Sequence, residues 1–120
     1  MILMIIADIA SLLNAEYSHG IEMAGREVTS CCAYDMMSDV LAYGQDQAVL
    51  ITSLLNPQVI RTAEMMDIFC IVFVMGKTPT AEMVGLAAER SLVIMKTDYP
   101  MFTACGILYE AGIPEGSGNA

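Results

Sequence analysis

The sequence predicts an α/β domain of three layers, α/β/α, around a mostly parallel central sheet. Three observations carry this expectation. Two continuous apolar runs, residues 48–52 (AVLIT) and 68–75 (IFCIVFVM), have the length and composition of strands buried on both faces. Each is followed by a helix with its own start signal, Asn56 before Pro57 in one case and Thr80 in the other. The connections are short, and strand alternating with helix implies right-handed crossovers and helices on both faces of the sheet. The C-terminal half thus reads as a βαβαβα unit.

Taken in order, residues 5–14 place Ile6, Ile9 and Leu13 at helical spacing, although residues 1–6 alone also suit a strand. Residues 16–18 form a short extended piece, followed by a loop around Gly20 and Gly25. Residues 27–33, with Val28, Thr29 and two cysteines, read as a strand leading into Asp35, the expected N-cap of a helix through Met36, Met37, Val40 and Leu41. Gly44 closes that helix. After the strand at 48–52, Val59, Ala63 and Met66 lie on one face of the helix that Asn56 caps. Thr80 caps a helix over Met83, Val84 and Ala87, and residues 92–95 return as a strand. Residues 99–111 form the last helix, packing Met101, Cys105 and Leu108, and Gly112 stops it. The Gly/Ser/Pro-rich end is expected to fray, giving one domain over residues 1–114 and a flexible tail over 115–120.

A chain of 120 residues is long enough for one core and too short for two. Hydrophobic residues make up 56% and charged residues 16%, an apolar excess that points to burial against a second copy. The formal charge of -9 leaves five scattered basic residues, Arg26, Arg61, Lys77, Arg90 and Lys96, with no clustered footprint for nucleic acid or an anionic membrane. The apolar start is interrupted by Asp8, is too short to span a bilayer, and lacks a basic flank and a cleavage site. Cys31, Cys32, Cys70 and Cys105 match neither a disulfide framework nor paired C-x-x-C spacing, so reduced thiols and a cytoplasmic setting are expected.

The candidate ligand site is the turn Thr52, Ser53 and Asn56, where a buried strand meets a helix N-terminus whose N–H groups and dipole suit an anion such as phosphate. A plain capped turn is the simpler reading of the same residues. Arg61, farther along that helix, fits either a forked contact to carboxylate or phosphate or a surface ion pair with Glu64. Asp35 and Asp39 are four apart on a helix, but no calcium loop or H-E-x-x-H accompanies them, and no metal is expected. Cys31 and Cys32 are adjacent in a strand and point to opposite faces, as core filling does. His19 is the only histidine, in an expected loop with no G-x-S-x-G nucleophile, so no catalytic residue or cofactor is assigned.

The stretches G-R-E-V-T-S (25–30), Y-D-M-M-S-D-V-L (34–41), L-I-T-S-L-L-N-P-Q-V-I-R-T-A-E (50–64) and F-T-A-C-G-I-L-Y-E-A-G-I-P (102–114) together resemble a small stand-alone protein of the DRTGG-domain family. Related domains accompany CBS domains in regulated pyrophosphatases and occur in the N-terminal region of HPr kinase/phosphorylase. The resemblance implies a regulatory, dimerising α/β module without catalysis of its own, whose dimer interface accepts a nucleotide's phosphates in CBS-linked members. Where the family often has T-G-D-R, this chain has Thr52-Ser53-Leu54-Leu55, which bears on nucleotide binding more than on dimerisation. The expected function is a non-catalytic homodimer docking a partner such as a kinase or metabolic enzyme. The alternative is a sensor of an adenine nucleotide or phosphorylated metabolite at the Thr52 to Arg61 turn.

Overall fold

The computed structural model describes residues 4–116. Its centre is a five-stranded sheet in the order β2-β7-β6-β5-β4, formed by β2 (Glu16–His19), β4 (Ser30–Ala33), β5 (Ala48–Thr52), β6 (Cys70–Phe73) and β7 (Val93–Lys96). Neighbours from β4 to β7 are parallel, and only β2 runs antiparallel, against β7. The mostly parallel three-layer architecture read from the sequence is therefore present. A small antiparallel ribbon, β1 (Met4–Ile5) with β3 (Glu27–Val28), lies outside that sheet. The strand expected over 27–33 is thus two strands, parted at Thr29, whose N–H donates to the carbonyl of Gln47.

Strand alternation assigns each buried side chain to a layer. Val49, Ile51, Val72, Val93 and Met95 pack against Ile6, Ile9 and Leu13 from α1 (Ile6–Leu12) and its end, and against Ala104 and Leu108 of α5 (Met101–Glu110). Leu50, Ile71, Phe73 and Ile94 face α2 (Met37–Tyr43), α3 (Pro57–Met65) and α4 (Ala81–Arg90). Every residue of β5 and β6 is buried, which explains why those segments read as unbroken apolar runs. Truncating Phe73 to alanine in such a layer costs on the order of 3–5 kcal/mol.

The helix ends follow local chemistry. Asn56 Oδ1 accepts from the N–H of Gln58, and Thr80 Oγ1 from that of Met83, as expected of N-caps. α5 ends where Gly112 adopts φ 100°, letting Ile113 N–H reach the carbonyl of Leu108 and Gly112 N–H that of Tyr109. α5 buries Ala104 and Leu108, with Met101 and Cys105 only partly covered. Gly20, at φ 97°, sits so close to β7 that a Cβ there would lie 3.0 Å from the Cα of Val93.

The C-terminal segment does not leave the domain at Pro114. Cys31 N–H donates to the carbonyl of Pro114, and Gly116 N–H donates to that of Cys31, so Glu115 and Gly116 line the outer edge of β4. This corrects the flexible tail expected over 115–120 at its first two positions, because an open strand edge supplies the partners a polar tail would otherwise lack. Positions 117–120 lie outside the described residues.

Candidate functional site

In open parallel sheets, ligand chemistry collects where the strands end and the next helices begin. β4 and β5 pair with Ala33 opposite Ile51, so the chain leaving β4 carries Asp35 up to the turn that follows Thr52. There the Asp35 carboxylate accepts three hydrogen bonds. Thr52 Oγ1 donates to Oδ1 at 3.0 Å, Ser53 N–H to Oδ1 at 2.7 Å and Ser53 Oγ to Oδ2 at 2.9 Å. Thr52 Oγ1 in turn accepts from Leu54 N–H.

This corrects the reading of Asp35 as a helix cap. The N-cap of α2 is Met36, without a side-chain bond, and Asp35 reaches across the strand pair instead. Three strong donors outweigh one cap bond. Partial desolvation pushes the Asp35 carboxyl up. The bonds from Ser53 and Thr52 and the nearby Lys77 ammonium outweigh it, holding the group below its ordinary value. The anion-receptive turn seen in the sequence thus already holds an anion, one of its own side chains.

β6 and β7 bring two lysines to the same edge. Lys77, just past β6, donates to the carbonyl of Ser53 at 3.1 Å. Lys96, at the end of β7, donates to Thr78 Oγ1 at 3.1 Å. Both contacts are to uncharged oxygens, and neither lysine forms a carboxylate ion pair among the described residues. Next to them, buried Thr97 donates its hydroxyl to the carbonyl of Leu13 at 2.7 Å, tying this edge to the end of α1.

Of the four residues singled out in the sequence, Thr52 and Ser53 meet in the Asp35 network. Asn56 is occupied with its own helix cap. Arg61 is exposed on α3 and contributes to none of these bonds. The ion pair expected between Arg61 and Glu64 is formed by Arg90 of α4 with Glu64, since the packing of α3 on α4 brings a better-placed guanidinium across. His19 is the last residue of β2, opposite Ile94, and not a loop residue. Burial raises all four thiols, Cys32 to about 11 and Cys70 to about 12, so they remain protonated near neutrality. The place of Asp35, Lys77 and Lys96 at this edge was not read from the sequence. Their shared signal is a polar side chain just beyond, or at the end of, an apolar strand.

A second feature lies on the outside of α5. Phe102 is 90% exposed and Tyr109 79%, and with Gly106 they fall at i, i+4 and i+7 on one stripe. A Cβ on Gly106 would meet nothing within 4 Å, so no contact among the described residues requires a glycine there. Gly85 of α4 is equally open, but Glu82 and Glu89 flank it on the helix surface, as on a solvated face. The outer stripe of α5 is aromatic around a small residue, and Glu110 is the only charged residue of the helix.

No protein-family model matches the sequence, and no curated protein matches it significantly. Among solved structures, the chain is similar to the CBS and DRTGG domains of the regulatory region of Clostridium perfringens pyrophosphatase, crystallised with its activator diadenosine tetraphosphate. The TM-score is 0.68 at 17% identity, over 92% of this chain and 50% of that one. The chain spans half the length of that neighbour, and the likeness is one of fold, a mostly parallel α/β domain, in line with the DRTGG resemblance carried by the sequence motifs.

Proposed function

We propose that this chain is a non-catalytic regulatory module that acts as a homodimer, self-associating through the outer face of α5 and presenting the paired domains to a partner enzyme or kinase. The observation that carries the reading is the α5 stripe. Phe102 and Tyr109 are the two most exposed large apolar side chains among the described residues, and they share one helix face. An interior glycine costs a helix about 1 kcal/mol relative to alanine. With nothing among the described residues to require it, Gly106 is explained by the close approach of a second helix. Two chains of charge -9 repel each other, and a face with one carboxylate is where they meet at least cost. Four unbridged, protonated thiols support a cytoplasmic setting. The test replaces Phe102 and Tyr109 by aspartate. Both are exposed, so the variant folds as the parent does, and its self-association is lost.

A second reading, favoured by two lysines whose hydrogen-bond acceptors are uncharged oxygens, is a sensor of an adenine nucleotide or phosphorylated metabolite at the carboxyl edge of the sheet. The fold neighbour's regulatory region binds a dinucleotide polyphosphate activator, and Lys77 and Lys96 have the charge to attract one here. In this reading Asp35 is the competitor that an incoming phosphate displaces from the Thr52-Ser53 donors.

A further inference from the structure

We infer that the cavity at the opposite, amino end of the sheet is a binding site for a small organic carboxylate, held by Arg26. The cavity, of about 270 Å³, lies between the β1–β3 ribbon and the starts of β5 and β6. That is near the lower bound of ordinary small-molecule pockets, about 300 Å³. Half-buried Phe69 gives it an aromatic wall, exposed Arg26, Glu27 and Gln47 supply the polar lining, and buried Ile6, Val28 and Ala48 lie behind.

Arg26 is prepared for such a ligand. Its guanidinium carbon lies 3.9 Å from the centroid of the Phe69 ring, so one face of the cation is covered by the aromatic. The main chain beneath it is held at both ends, its N–H donating to the carbonyl of Met23 and its carbonyl accepting from Ile6 N–H. No carboxylate pairs with Arg26 among the described residues. A guanidinium stacked by its face keeps its edge for bonding, and that edge offers two parallel N–H donors spaced for a carboxylate's two oxygens. A single fork beside an aromatic ring suits a monoanion carried on a flat aromatic body. A dianionic phosphate suits it less, because Glu27 also lines the cavity and the chain is strongly acidic.

The site is independent of the α5 interface and of the lysine edge, so its test fails or succeeds separately from theirs. The probe is 4-fluorobenzoate, titrated into the full chain and followed by fluorine NMR. The expected result is a saturable shift or broadening at millimolar probe. Arg26→Gln weakens it at least tenfold, Arg26→Lys weakens it by removing the fork, and Glu27→Gln tightens it. Arg61→Gln leaves it unchanged, and all variants melt within a few degrees of the parent. Absence of a saturable response in the parent chain overturns the inference. So does an equal affinity in Arg26→Gln, or displacement of the probe by equimolar inorganic phosphate.

Discussion

Replacing Asp35 by alanine removes the acceptor that organises the carboxyl ends of β4 and β5. Three donors lose their partner, the Ser53 N–H and hydroxyl and the hydroxyl of fully buried Thr52. Hydrogen bonds to a charged group contribute about 1.5–3 kcal/mol each when sheltered. Asp35 is exposed, so water replaces much of what is lost, and the three bonds together are worth about 2 kcal/mol. For a domain of this size that is a fall in melting temperature of about 8 °C. The effect is also pH-dependent with a definite sign. The folded-state value of the carboxyl is lowered from the usual 3.8, so its stabilisation is fully present above that value and is lost as pH falls through the lowered one. Urea unfolding of parent and Asp35→Ala should differ by about 2 kcal/mol at pH 7. The gap should narrow progressively when both are compared at acid pH, below the ordinary carboxylate value and down through the lowered one. A difference of the same size at both pH values, or none at pH 7, refutes the assignment of these bonds to an ionised carboxylate.

Thr97→Val keeps the shape of a buried residue while removing the donor to the Leu13 carbonyl and the acceptor for Tyr99 N–H, and should cost about 1–2 kcal/mol in urea unfolding. If the carboxyl edge senses nucleotides, AMP, ATP or diadenosine tetraphosphate at 100 times its dissociation constant should stabilise the protein by about 2.7 kcal/mol. The melting shift should be lost in the double variant Lys77→Met and Lys96→Met. An unchanged shift in that variant would place the ligand elsewhere.

Local chemistry made much of the fold readable in the sequence. Asn56-Pro57 and Thr80 announce their helices because an N-cap bond spans only two or three residues. β5 and β6 are recognisable because burial on both faces removes every polar side chain from their interiors. Interactions between elements were not readable. Asp35 sits beside good cap positions, and only the Ala33 to Ile51 register makes Ser53, 18 residues away, its partner. Glu64 has Arg61 three residues before it on the same helix, yet tertiary packing of α3 on α4 gives it Arg90. α5 is apolar on every side, so periodicity alone does not separate the face of Ala104 and Leu108 from that of Phe102 and Tyr109.

Sedimentation equilibrium across micromolar concentrations tests the central claim most directly. The account predicts a parent species of twice the 12.9 kDa protomer and a monomer for the Phe102→Asp, Tyr109→Asp double variant. An aromatic hot spot worth about 2 kcal/mol at each position corresponds to a dissociation constant raised about 30-fold per residue. A parent protein that stays at 12.9 kDa throughout, or a double variant that dimerises as tightly as the parent, would contradict the account.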